Sequence, residues 1–315
     1  MNNYWRFIEN FMKKCDISVI ILTFNEVLHI RRCLENITPW IEAVFIIDSY
    51  STDETLEIAS QYDNVYILQN KWENNHAKQF NWALVHAPIK TKWVLRLDAD
   101  EYLLPELIIE INSKLDHLEN EVTGIVFKRR HYFMNKWMKK GIYPVKLLRL
   151  FQFKKAICEQ RLMDEHIQLI EGKCVEFEND FVDHNLNNLS WFCHKHVDYA
   201  IREAVELLDI EYGLSNSNGT CGIRISSQAF KKRKMKFKYV KQPLFWRAFY
   251  YFCYRYFFRG ACLDGKVGFI WTFIQGWWYR TLVDAKIYEI KRACGNDVER
   301  MRTYISKHYN IYFKE

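Results

Sequence analysis

Ile17-Ser18-Val19-Ile20-Ile21-Leu22, closed by Thr23-Phe24-Asn25-Glu26, is an almost unbroken apolar run that ends in a polar loop. A strand covered on both faces has this composition, because neither side of it meets water. His29 to Asn36 follows with helical spacing of its apolar residues, so the opening unit is strand, loop and helix. The unit recurs. Ala43 to Ile47 is a second such strand, Asp48 to Asp53 a polar loop and Glu54 to Gln61 a helix. Val65 to Leu68, Ala77 to Val85 and Trp93 to Leu97 repeat strand, helix and strand, the last running into Asp98-Ala99-Asp100-Glu101. This alternation predicts an α/β fold with a mostly parallel sheet and helices on both faces. Val122 to Lys128 reads as a further strand, and Trp191 to Leu208 as a helix with Ser190 at its N-cap. Ligands of such sheets collect beyond the carboxyl ends of the strands, where the polar loops named above lie.

Asp98 and Asp100 are two apart at the end of a strand and point to the same side if the extended conformation continues. Convergent carboxylates make a hard-cation site suited to Mg²⁺ or Mn²⁺ shared with substrate phosphates, where the ion offsets charge on a departing diphosphate. A bare D-x-D often arises by chance, here as a solvated turn before the helix expected near Pro105. Its place at the mouth of a buried strand is what favours the cation reading. Cys193, His194 and His196 have no second Cys or His pair at ligand spacing nearby, which argues against zinc. No Gly-x-Gly-x-x-Gly follows the first strand, which argues against a dehydrogenase.

The chain of 315 residues is 49% hydrophobic and 26% charged, which excludes disordered and collagen-like classes. Its net charge of +7 is unevenly placed: residues 221–260 hold eleven Lys and Arg and no acid, leaving the rest at −4. That asymmetry points to an anionic partner, either an acidic membrane surface or nucleic acid. Nine cysteines without a CxxC pair fit a reducing, cytoplasmic location. Residues 1–16 carry Glu9 within their apolar stretch and lack a small-residue cleavage site, so they do not read as a signal peptide. The longest uncharged apolar run, Val267 to Tyr279, falls short of the ~18 residues of a spanning helix.

From Leu244 to Arg259 the only charges are Arg247, Arg255 and Arg259, which share one face of a helix while the rest of the surface is aromatic. With Lys231-Lys232-Arg233-Lys234 upstream, the pattern predicts a helix lying in the plane of a membrane surface. Packing on the catalytic domain or on a second copy of the chain is the alternative. Residues 213–222 alone have linker-like composition. The expected organisation is a catalytic domain over 1–212, a linker over 213–222 and a helical, membrane-associating extension over 223–315.

Four motifs occur in the order and spacing of family-2 glycosyltransferases: Thr23-Phe24-Asn25-Glu26, Asp48 to Asp53, Ala77 to Leu84, and Leu97 to Glu101. Over most of its length the sequence resembles the lipopolysaccharide-core and exopolysaccharide branch of that family. The resemblance implies a GT-A fold and transfer of a sugar from a nucleotide-sugar donor to a hydroxyl of a membrane-borne acceptor, lipid-linked or of lipopolysaccharide type. It further implies inversion at the anomeric carbon, with Mg²⁺ or Mn²⁺ on Asp98 and Asp100. Thr23, Asn25, Glu26, Asp48, Lys78, Asn81 and Asp98 match donor-binding positions. Ser49 stands where a second Asp is usual, and Tyr50 where Gly is usual. Registering Asp164-Glu165-His166 on the paired residues of relatives places Glu165 at the general-base position, with Asp164 as the alternative. Lys195 and Tyr199-Ala200 match a pattern that implies an acceptor-side helix. The implied place of action is cytoplasmic, peripheral on the inner face of the cell membrane, without a nucleic-acid partner. Two rival readings are a non-catalytic basic module that binds membrane or nucleic acid, and a nucleotidyltransferase, which also uses paired carboxylates but releases pyrophosphate.

Overall fold

The computed structural model describes residues 14–161, 163, 165–215 and 235–313. Asp164, residues 216–222 of the expected linker and the basic residues 231–234 lie outside the described residues.

Strands β1 (Cys15–Thr23), β2 (Ile41–Asp48), β3 (Val65–Gln69) and β4 (Trp93–Arg96) pair in parallel in the order β3-β2-β1-β4. Alternate side chains of β1 enter opposite layers: Ile17, Val19 and Ile21 join one core and Ile20 the other. In β2, Val44 and Ile46 divide from Phe45 and Ile47 in the same way. Both faces are covered, so apolar residues fill consecutive positions rather than every second one. The crossovers are α1 (Ile30–Ile37), α2 (Thr55–Ala59) and α3 (His76–His86). The α1 helix buries Ile30, Cys33, Leu34 and Ile37, one helical stripe, while α3 buries Ala77, Phe80 and Ala83 on the opposite layer.

Beyond β4 the sheet becomes mixed. It continues through β5 (Glu101–Leu103), helix α4 (Pro105–Lys114), β6 (Val122–Phe133), β7 (Lys136–Trp137) and β8 (Val145–Gln152). A small hairpin of β9 (Ala156–Cys158) and β10 (Ile167–Leu169) precedes β11 (Lys173–His184). The order is β4-β8-β6-β11-β5, with β8 antiparallel to both neighbours and β6 parallel to β11. The β6 strand runs to Phe133 rather than Lys128 because its outer half pairs with both β11 and β7. In sequence this half is polar, Lys128-Arg129-Arg130-His131, so hydrophobic pattern alone ends the strand too early.

Helix α5 (Leu189–Tyr212) starts two residues earlier than its apolar pattern, and its cap is Asn188 rather than Ser190: Asn188 Oδ1 accepts from Trp191 N at 3.0 Å. The last elements are α6 (Trp246–Cys253), a π-helical turn over Tyr254–Phe258, α7 (Gly265–Thr272), a second π-helical turn over Phe273–Trp278, α8 (Tyr279–Cys294) and α9 (Val298–Tyr309). Val283, Ile287, Met301 and Ile305 pack on Ala204, Leu207 and Leu208 of α5. Trp271 and Ile274 meet Phe133 and Met138. Among the described residues no helix is long and apolar enough to cross a membrane.

The cationic stripe expected along residues 244–259 does not form. Arg247 and Arg255 are 4% and 5% exposed, and of the three arginines only Arg259 faces solvent. Arg247 Nε donates to Asp284 Oδ1 at 2.8 Å, and its guanidinium covers the Tyr239 ring. Amphipathic spacing fixes two faces of a helix without saying which turns inward. Asp284 on α8 supplies the carboxylate that makes burial of Arg247 tolerable.

Candidate active site

Thr23 and Asp48 end neighbouring strands in register. Asp48 is fully buried and accepts from Thr23 Oγ1 at 2.9 Å, Ser51 N at 2.8 Å and Ser51 Oγ at 2.5 Å. The two loops are laced further: Asn25 Oδ1 accepts from Thr52 N at 2.8 Å, and Thr55 Oγ1 accepts from Glu26 N at 2.8 Å. Tyr50 has φ 62, a left-handed conformation that explains why glycine is the usual residue there, and its ring is exposed. Glu26 pairs with His29 Nδ1 at 2.6 Å.

The D-x-D segment departs from the extended expectation. β4 stops at Arg96, and Glu101 N donates to Asp98 O at 2.9 Å, which makes Asp98 to Asp100 a turn. Buried Glu101 draws the chain round: its carboxylate accepts from Asp98 N at 2.9 Å and from Arg149 Nη2 at 2.6 Å. Both aspartates are nevertheless part-exposed at the same rim, with Ala99 buried between them. Burial would raise the Asp98 carboxyl, but Arg149 and then Arg96 outweigh it and hold the group down at about 2. Burial, then the charges of Asp183 and Asp98, push Asp100 up to about 6. Asn185 Nδ2 donates to Asp100 Oδ2 at 2.9 Å.

The far wall comes from the end of β11, which hydrophobic pattern does not single out. Asp183 stands opposite Glu101 in the β5–β11 pairing, and His184 N donates to Asp100 O at 3.1 Å. Asp183 meets Arg129 Nη1 at 3.2 Å and His131 Nδ1 at 3.1 Å. Arg32 Nη2 donates to the carbonyls of Asp100 and His184 at 3.0 and 2.6 Å, tying α1 to this wall.

Glu165 lies across the rim, where Arg96 Nη2 donates to its Oε1 at 3.1 Å; the same guanidinium holds Asp98 through Nε at 3.9 Å. Asn81 and Asn75 brace the segment that leads to Glu165. Asn81 bonds both Cys158 O and Cys158 N, at 2.7 and 2.9 Å, and Asn75 Nδ2 donates to Arg161 O at 3.2 Å. Asn81 therefore spends its amide on backbone, and Lys78 turns outward to Glu73 at 2.8 Å. Lys195 of α5 lies over the rings of Trp191 and Tyr199 at 4.7 and 5.6 Å. Burial would lower its ammonium, but Tyr199, Asp100 and Glu26 raise it.

The structure brings Asp98, Asp100 and Glu165 to one carboxyl-edge rim, linked through Arg96, Arg149, Asp183 and Lys195, with Thr23 ending the neighbouring strand β1. Residues 18–167 match the family described as Glycosyl transferase family 2. The chain is 31% identical over 81 residues to the SPbeta prophage-derived glycosyltransferase SunS of Bacillus subtilis, 25% of this chain and 19% of that one. It is 35% identical over 95 residues to an uncharacterized glycosyltransferase of Rickettsia felis, 30% of this chain and 32% of that one. The matched stretch therefore spans a fifth to a third of these relatives' length. Among solved structures, that of S. aureus TarS 1-349 aligns over 96% of this chain and 93% of that one at 16% identity, with a TM-score of 0.41. Residues 18–167, just under half of the chain, thus carry the family-2 glycosyltransferase match, and motif order and sheet topology agree with it in giving a GT-A-type fold.

Proposed function

We propose that the chain transfers a hexosyl group from a nucleotide-sugar donor to a hydroxyl of a membrane-borne acceptor, lipid-linked or of lipopolysaccharide type, in the synthesis of a cell-surface polysaccharide. The observation that carries this reading is Arg96 holding Asp98 and Glu165 on one cleft. Acidic residues that would grip a donor and a carboxylate that would activate an acceptor are thereby within reach of the same reacting carbon. The laced loops at Thr23–Glu26 and Asp48–Asp53 border that cleft on the side where such sheets hold nucleotides.

Asp98 and Asp100 are the hard oxygen donors that Mg²⁺ or Mn²⁺ prefers, and the like-charge crowding on Asp100 is relieved by a cation. Among the described residues no group of three His, Cys, Asp or Glu side chains forms a metal cage. The two aspartates fit an ion that takes its other ligands from donor phosphates and water. When bound, that ion supplies Lewis-acid stabilisation of the leaving diphosphate.

Glu165, oriented by Arg96, accepts the acceptor's hydroxyl proton as the oxygen bonds to the anomeric carbon. The bond from that carbon to the diphosphate oxygen breaks, and its electron pair leaves with the diphosphate. Attack opposite the leaving group inverts the centre. Lys195 adds a positive charge beside Asp100 where phosphate charge develops.

A panel of UDP-, GDP- and dTDP-sugars with Mg²⁺ or Mn²⁺, scored for diphosphate release, tests the reading. Wild type is expected to turn over one donor class, and Glu165→Gln to fall by roughly 10²–10⁴-fold. Release of pyrophosphate would point to nucleotidyl transfer instead, and equal turnover by the variant would remove Glu165 from the base position.

A further inference from the structure

The hairpin built from α6, α7 and their π-helical turns is inside out relative to a soluble amphipathic helix. Its arginines 247 and 255 are buried with Phe252 and Trp271, while Trp246, Tyr250, Phe257, Phe258 and Phe269 are exposed. Ring contacts run unbroken from Trp246 through Phe249, Trp277, Phe273, Phe269 and Tyr256 to Phe257, with neighbouring centroids 5.0 to 6.4 Å apart. At the bend, Phe258 and Leu263 are 82% and 75% exposed. A contiguous apolar patch of this kind on a folded chain marks an interface.

The bend is fixed rather than loose. Asp264 is buried, its Oδ2 accepts from Lys140 N at 2.9 Å and its carbonyl accepts from Lys136 Nζ at 2.5 Å. Gly265 has φ 68 and ψ −151, a backbone region that a side chain bars. At Gly268 a Cβ would meet Ala261 O at 2.4 Å, so the two arms close tightly at this point. Phe258 and Leu263 are thus presented on a rigid support.

Charge around the patch selects its occupant. Lys238, Lys241, Arg259 and Lys266 are exposed along the hairpin and its approach. Between residues 236 and 283 the only carboxylate in the sequence is Asp264, which is turned inward. A two-fold contact with a second copy would set this cationic border against itself. An acidic lipid surface complements both features at once, taking the rings at its interface and the cations at its headgroups.

We propose that the aromatic face of residues 246–278 seats on an anionic lipid bilayer, with Phe257, Phe258 and Leu263 entering the interface and Arg259 and Lys266 meeting the headgroups. The helices lie along the surface rather than across it. This surface is separate from the catalytic cleft and stands independently of the reaction proposed above.

The test is co-sedimentation of the full chain with vesicles of phosphatidylcholine alone and of equal parts phosphatidylcholine and phosphatidylglycerol, with the oligomeric state measured without vesicles. Wild type is expected to sediment with the mixed vesicles and less with phosphatidylcholine. F257S/F258S/L263S should cut binding about tenfold or more with unchanged circular dichroism. R259E/K266E should weaken binding to mixed vesicles and leave the weaker binding to phosphatidylcholine unchanged. A wild type that stays in the supernatant, a triple variant that binds as wild type does, or a vesicle-free dimer that the triple variant dissociates would each overturn the proposal. Donor hydrolysis without vesicles, unchanged in both variants, keeps a failure here distinct from a failure of the reaction.

Discussion

Glu165 and Asp98 sit at two ends of one guanidinium: Arg96 Nη2 is 3.1 Å from Glu165 Oε1, and Arg96 Nε is 3.9 Å from Asp98 Oδ1. Side chains 67 positions apart in sequence are thereby linked by a third, itself half-buried over the Phe80 ring at 5.2 Å. Removing this link frees Glu165, while Asp98 keeps Arg149 Nη2 at 3.5 Å. We expect Arg96→Gln to lower kcat by about ten- to a hundredfold, on the scale of losing one positioned charge, and Arg96→Lys to recover part of it. Initial rates with the preferred donor check this; a variant of wild-type kcat would show that Glu165 needs no positioning.

Asp100 carries the clearest trade between folding and chemistry. Its carboxyl titrates at about 6 in the folded chain against an ordinary 3.8, so the fold holds that proton more tightly than the unfolded chain does. The stabilisation is complete below 3.8 and disappears as pH rises through about 6. At neutral pH the ionised carboxylate therefore opposes folding. The full shift corresponds to ~3 kcal/mol, and partial exposure reduces the expected gain for Asp100→Asn to about 1 kcal/mol. Thermal melts without divalent ions should show the variant more stable than wild type near pH 7 and equal to it near pH 3.5, while its diphosphate release is lost.

Much of this cleft is legible in the sequence because it is built from loops that follow apolar runs. The parallel half-sheet, the position of the acidic segment after β4 and the Thr23–Glu26 and Asp48–Asp53 loops follow from local pattern, while the turn at Asp98–Asp100 depends on buried Glu101. The opposite wall does not. Asp183 and His184 close a strand in which Glu176, Glu178 and Asp180 interrupt the apolar pattern, and only pairing with β5 brings them beside Asp100. Arg149 has the spacing of a core strand residue and declares its role only through Glu101. The outcomes for Lys78, Asn81 and the 247/255 arginines have one physical cause. A motif fixes residue types, but the partner that decides where a polar head points is remote: Glu73 for Lys78, Cys158 for Asn81 and Asp284 for Arg247.

Asp48 illustrates a motif residue whose first task is structural. Three donors converge on a carboxylate with no exposure, so Asp48→Ala leaves Thr23 Oγ1 and Ser51 N without their acceptor. A loss of about 2–4 kcal/mol is expected by urea denaturation, together with a raised donor KM as both loops loosen. A loss below 1 kcal/mol, with KM unchanged, would contradict this role.

Arg247 and Asp284 form the buried pair that holds α6 to α8, with Nε and Nη2 at 2.8 and 2.5 Å from Oδ1. Truncating one partner strands the other, so Arg247→Ala should cost about 3–5 kcal/mol, whereas R247M/D284L should cost less than either single change. Denaturant titrations of the three variants separate these outcomes; additive losses would mean that the pair is not coupled.

We propose that Asp98 and Asp100 grip a donor diphosphate through a divalent cation. Calorimetric titration of the folded chain with the nucleoside diphosphate of its preferred donor, with Mn²⁺ and with EDTA, tests it most directly. Tight binding is expected with Mn²⁺, with a loss of at least about tenfold in EDTA and no response to Mn²⁺ in D98N/D100N. Equal affinity for wild type with and without the ion, or an undiminished Mn²⁺ effect in the double variant, would contradict it.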